Sequence, residues 1–165
     1  MGRRQIRCHG DERRFEVVAG YIYQRFGNQI HYIADVAGGQ GLLARILNKK
    51  YNYIAEVIDP RGNVIKGVPN KQVEYSPEMA GFYDLIVGLH PDAAMRAVAE
   101  SALYRPILLV PCCNEWDKSR KLGSRELGQA IIDYFNSNDI PSETVEFDIN
   151  KPKNVGIIAA PRPFD

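Results

Sequence analysis

Short apolar runs alternate with amphipathic stretches along most of this chain. Phe15, Val18, Ile22 and Phe26 recur at helical spacing. They predict a helix from Asp11, a capping residue, to Phe26, where Gly27-Asn28 ends it. Residues 30–36 are an apolar run that predicts a buried strand, and 41–49 predict a helix. Residues 53–58 predict a second strand, closed by Asp59-Pro60. A short strand fits at 72–75, and 83–89 predict a central strand. Pro91 suits a first helical position, with Asp92 beside it where the helix dipole favours negative charge, and that helix runs to about Leu103. Residues 106–113 predict another buried strand, and Leu127, Ile131, Tyr134 and Phe135 mark a helix over 124–136. Residues 143–148 and 154–160 predict two strands joined by a turn of Lys, Pro and Asn.

This alternation implies an α/β fold: a mainly parallel sheet with helices on both faces. One interval departs from it. Between Asp59 and Tyr83 the chain is short and rich in Gly, Pro and Asn, with no amphipathic helix. The expectation for 60–82 is a shortened edge, a loop with at most one short strand. A long helix there would contradict it.

Composition adds boundaries. A chain of 165 residues with 45% hydrophobic and 25% charged residues predicts one globular domain. We divide it into a flexible basic arm at 1–10 and a single domain at 11–165. The net charge of +1 excludes an overall polycation, so any nucleic-acid surface must be local. No apolar run approaches a membrane span, and the charged N-terminus has no signal-like apolar core. The three cysteines, Cys8, Cys112 and Cys113, make a poor disulfide framework, so the expected setting is reducing and cytoplasmic. Neither Cys8-His9 nor Cys112-Cys113 has the C-x-x-C spacing that wraps one zinc, so no metal is expected from spacing.

The chemistry concentrates at Asp35-Val36-Ala37-Gly38-Gly39-Gln40-Gly41. A strand meets an acidic residue, then a glycine turn, then a helix. Glycine tolerates positive φ and leaves the backbone bare, and the free N–H groups of the helix start offer donors to a ligand. A dinucleotide fold wants G-x-G-x-x-G to cradle a pyrophosphate. Asp35 would repel a pyrophosphate; it suits a ligand carrying positive charge. S-adenosylmethionine carries an ammonium and a sulfonium. The block therefore resembles the first motif of class I S-adenosylmethionine-dependent methyltransferases.

That resemblance implies a Rossmann-like sheet, mostly parallel, with a C-terminal antiparallel hairpin. It assigns Asp35, Ala37, Gly38, Gly39, Gln40 and Gly41 to the methionine portion of the cofactor. Ligands of open parallel sheets bind outside the carboxyl ends of the strands. Asp59, with Pro60, ends the second strand there and can accept the ribose hydroxyls; Glu56 is the weaker candidate, lying mid-strand. Gly88-Leu89-His90-Pro91-Asp92 and Pro111-Cys112-Cys113-Asn114 extend the resemblance to a methyltransferase-like subfamily with Gly-x-His and Cys-Cys motifs, which includes a tRNA 2′-O-methyltransferase. In that enzyme histidines follow the cysteine pair; Asn114 and Glu115 follow it here. Leu89, His90 and Pro91 are expected to flank the transfer site. His90, as a neutral imidazole, and Asp92 are the catalytic candidates. Strand alternation is expected to turn one of Cys112 and Cys113 to the core and the other to the site edge.

Two basic clusters leave RNA open as the acceptor: Arg3, Arg4, Arg7, Arg13 and Arg14, and then Lys118, Arg120, Lys121 and Arg125. A small-molecule or protein acceptor, a protein partner and a homodimer also stay open. The rival reading is a methyltransferase-fold binding module without activity, with a nucleotide-binding oxidoreductase third.

Overall fold

The computed structural model describes residues 10–163. Seven strands form one sheet in the order β3-β2-β1-β4-β5-β7-β6. They are β1 (Tyr32–Val36), β2 (Ile54–Ile58), β3 (Asn70–Lys71), β4 (Leu85–Leu89), β5 (Ile107–Val110), β6 (Ser142–Glu146) and β7 (Val155–Ala159). All neighbours are parallel except β7, which runs antiparallel to both β5 and β6. The helices are α1 (Arg14–Phe26), α2 (Leu42–Tyr51), α3 (Met95–Glu100) and α4 (Ser124–Ser137). The parallel sheet and closing hairpin agree with the expected class I methyltransferase architecture. Among the described residues no helix is long and apolar enough to cross a membrane.

Side chains of each strand alternate between two cores. Ile33, Leu85, Val87, Leu108 and Val110 pack with Val18, Ile22, Leu43 and Leu47 of α1 and α2. Ala34, Val36, Ile86, Ile107 and Leu109 pack with Met95, Val98, Leu127, Ile131 and Phe135 of α3 and α4. Both faces of the central strands are thereby dry, which is why these strands appear in sequence as unbroken apolar runs.

The shortened edge is real. Residues 60–82 hold only the two-residue β3 and a 3-10 helix, Pro77–Phe82. The strand lies at 70–71, upstream of the expected 72–75. Its pairing comes from backbone bonds such as Val57 N–H to Pro69 O and Asp59 N–H to Lys71 O, and its own side chains are exposed. Three other expectations need correction. Asp11 does not begin a helix: its carboxylate accepts from Arg13 N–H at 3.0 Å, and α1 starts at Arg14. The helix expected from Pro91 to Leu103 is a short α-helix between two 3-10 turns, Asp92–Ala94 and Ser101–Leu103. The strand expected over 106–113 ends at Val110, so Cys112 and Cys113 lie in the loop and do not alternate across the sheet.

Candidate functional site

A cavity of about 660 Å³ opens at the carboxyl ends of β1, β4 and β5. Its lining includes Asp35, Ala37, Gly38, Gly39, Gln40, Leu89, His90 and Asp92. The structure thus gathers most of the residues singled out in sequence. Gly41, Asp59, Pro60 and Pro91 lie beside that lining rather than in it. Arg3, Arg4 and Arg7, together with Cys8 and His9, fall outside the described residues.

The turn after β1 is shaped around Asp35. A Cβ on Gly38 would stand 2.5 Å from the Asp35 carboxyl, so only glycine lets the backbone cross over that group. Gly41 has φ +85°, and a Cβ there would press on Val57 and Val68 at 3.0 Å. The bend delivers the chain into α2, whose first-turn N–H groups face the turn. Ala37, His90 and Asp92 line the cavity with φ of 53°, 53° and 48°. Non-glycine residues in this region cost about 1–3 kcal/mol each and gather where function holds them.

Two buried carboxylates flank the turn. Asp35 is 1% exposed, and its Oδ2 has no hydrogen-bond partner among the described residues. Burial pushes its pKa up to about 7; a backbone N–H bond from Ala44 opposes the rise and the nearby charge of Asp59 adds to it. Asp59 is as buried but fully engaged. It accepts from Gly39 N–H at 3.0 Å, Arg61 N–H at 2.9 Å, and Arg61 Nη2 at 2.7 Å. Burial pulls its pKa upward, yet the Arg61 and Gly39 bonds outweigh that and hold it below the ordinary carboxylate value. Both oxygens expected to meet a ribose are therefore filled. Glu56, the weaker alternative, is engaged by Tyr83 Oη at 2.7 Å and Lys71 Nζ at 3.3 Å.

At the end of β4, the His90 N–H donates to Val110 O at 2.9 Å, which ties the ends of β4 and β5 together. His90 Nε2 lies 3.1 Å from Lys153 O. A carbonyl only accepts, so Nε2 carries the hydrogen and Nδ1 keeps the lone pair. Burial first, then the charges of Arg14 and Lys153, hold the ring below the usual histidine pKa, and it is neutral at pH 7. Next to it, Cys112 Sγ approaches Asp92 Oδ1 at 3.4 Å. Burial and the Cys113 contact push the Cys112 thiol up to about 12, so it is no thiolate nucleophile at neutral pH.

Several lining residues were not legible as such: Phe15, Leu43, Asn63 and Lys153. They come from α1, α2, the shortened edge and the β6–β7 turn, and local pattern carries no mark of that convergence. Arg61 lines the cavity too, in the Asp59-Pro60-Arg61 stretch at the carboxyl end of the second strand, where the rule for open parallel sheets places ligand contacts. The second basic cluster is partly neutralised, since Lys118 pairs with Glu115 at 2.8 Å and Arg120 reaches Asp117 at 3.9 Å. Its loop is held by Arg96, which lies 4.0 Å over the buried Trp116 ring and donates to Trp116 O at 2.8 Å.

No family model matches the chain, and no curated protein matches it. Solved structures do. The METTL16 methyltransferase domain superposes with a TM-score of 0.62 at 8% identity, covering 92% of this chain and 84% of that one. The plantazolicin methyltransferase BpumL, solved with S-adenosylhomocysteine (SAH), gives 0.61 at 14% identity, over 90% and 82%. The sugar N-methyltransferase KedS8 from Streptoalloteichus gives 0.57 at 11% identity, over 99% of both chains. At these identities the likeness concerns the fold, and the fold is that of class I methyltransferases.

Proposed function

We propose that this chain binds S-adenosylmethionine in the cavity beside Asp35 and is a methyltransferase. The observation that carries this reading is the buried Asp35 carboxylate, which lines the cavity with Oδ2 unpartnered. A buried carboxylate oxygen without a partner is costly, and a cationic ligand removes that cost. Asp35 and the turn from Ala37 to Gly41 would hold the methionine portion. Asp59 would accept the ribose once Arg61 swings aside; the Arg61 side chain is 54% exposed and long enough to do so. The cofactor supplies an electrophilic methyl group on a sulfonium. Leu89, His90 and Pro91 would flank the acceptor. His90, with its hydrogen held on Nε2, presents Nδ1 as the base for an acceptor proton, and alignment of the acceptor supplies much of the remaining rate.

Arg14 and Lys153 at the cavity wall support an anionic acceptor, and RNA is the acceptor we favour. Free thiols at Cys112 and Cys113 fit a reducing, cytoplasmic setting. The second reading, a binding module without activity, rests on Asp59 already having a cation. Incubation with methyl-labelled S-adenosylmethionine and fractionated RNA, protein and small-molecule extracts decides between them. Label in the RNA fraction is expected, lost as salt rises; label elsewhere overturns the RNA acceptor, and none anywhere favours the binding module.

A further inference from the structure

The ends of β4 and β5 bring together a set of donors that the transfer reading does not use. Leu89 pairs with Val110 in register, and the His90 bond to Val110 locks the two strand ends. The loops that leave them run side by side. One carries Asp92, held at φ 48°; the other carries the adjacent pair Cys112-Cys113. One donor atom from each of these three residues lies within 4.8 Å of the other two. Spacing within the cysteine pair gave no sign of this, because the third donor comes from a different strand end.

The distances match a particular ion. Zinc binds thiolate sulfur at about 2.3 Å and carboxylate oxygen at about 2.0 Å, which in a tetrahedron separates two sulfurs by about 3.8 Å and a sulfur from an oxygen by about 3.5 Å. The Cys112 and Cys113 sulfurs stand 3.5 Å apart. Cys112 Sγ stands 3.4 Å from Asp92 Oδ1. Both separations from Cys112 are thus near their tetrahedral values, and the third, between Cys113 and Asp92, is within 4.8 Å and closes by a side-chain movement. Two thiolates and a carboxylate also select zinc over magnesium or calcium, which take oxygen ligands.

We propose that Asp92, Cys112 and Cys113 bind one zinc ion whose fourth position opens into the cavity. Asp92 and Cys112 both line that cavity, and three protein ligands with one open position is the form of a catalytic rather than a structural site. Binding replaces the two S–H protons, which pass to solvent. Resting on the methyltransferase reading, the open position takes an acceptor hydroxyl or thiol. Its proton goes to His90 Nδ1, its heteroatom bonds the methyl carbon, and the carbon–sulfonium bond breaks to release SAH. The substrate class is then an alcohol, which includes a ribose hydroxyl, or a thiol.

The test uses the full chain, stripped of metal under reductant, and cobalt(II) as the probe. One equivalent of cobalt with a thiolate-to-cobalt charge-transfer band, displaced by zinc, is expected. Cys113→Ser, at an exposed position, and Asp92→Asn are each expected to weaken binding by at least about 10-fold. Cys8→Ser is expected to keep it. Absence of the band, unchanged affinity in Cys113→Ser, or loss in Cys8→Ser overturns the site. SAH titration of the metal-free chain is read separately. Cofactor binding without cobalt binding sinks only the zinc; the reverse sinks only the cofactor reading.

Discussion

Asp35 and Asp59 stand at the ends of neighbouring parallel strands, both almost wholly buried, yet they are in opposite electrostatic states. Asp59 has a guanidinium and two backbone N–H groups around it, and its pKa falls. Asp35 has an unpartnered oxygen, and its pKa rises to about 7. Burial alone does not decide what a carboxylate does; the partners do. Asp59 resembles a finished structural joint that pins the glycine turn to the end of β2. Asp35 is unfinished: among the described residues nothing partners its Oδ2, and on the function proposed above a cationic ligand does.

The largest expected effect comes from removing the unfinished group. Asp35→Ala is expected to weaken S-adenosylmethionine binding by about 10- to 100-fold, the worth of a charge-assisted hydrogen bond, while keeping the fold. Unchanged affinity in calorimetry would remove Asp35 from the site. Asp59→Ala and Arg61→Ala then break the comparison from the other side. Asp59→Ala strands the Arg61 and Gly39 donors, so a stability loss of about 2 kcal/mol in denaturant unfolding is expected, with weaker cofactor binding. Arg61→Ala frees Asp59 for the ribose, so affinity equal to or tighter than wild type is expected. Weaker binding there would mean that Arg61, not Asp59, meets the ligand.

The pH dependence follows from the raised pKa of Asp35. Between its unfolded value of 3.8 and about 7 the folded chain binds more protons than the unfolded chain, so this group lowers stability as pH rises through that window. Asp35→Asn is expected to flatten that slope, on the order of a few kcal/mol across the window, in unfolding curves at several pH values. His90, with its lowered pKa, works in the opposite direction below its unfolded value, which makes the variant-minus-wild-type difference the proper readout. Cofactor binding near pH 6 is expected to release a proton, seen as a buffer-dependent heat. The smallest effect is spectroscopic: nitrogen NMR is expected to show His90 as the Nε2–H tautomer at neutral pH. The Nδ1–H form would remove Nδ1 as a base.

Much of this was legible in the sequence because the physics is local. The apolar runs mark strands dry on both faces, and a carboxylate before Gly38-Gly39 marks a turn that must pass over it. The short edge at 60–82 showed through its Gly, Pro and Asn content. The rest depended on tertiary placement. β3 lies at 70–71 because backbone bonds to β2 choose its register, and its exposed side chains leave no pattern to read. Cys112 meets Asp92 only because β4 and β5 end together, and Lys153 reaches His90 only across the β6–β7 turn. Strand ends and their loops are where nearby positions in space are distant in sequence.

The most direct test of the central claim is calorimetric titration of the purified chain with SAH, repeated on Asp35→Ala. The account predicts one equivalent bound by the wild type, with affinity strongly reduced in the variant. No heat at millimolar SAH, or binding of NAD in its place, would contradict it.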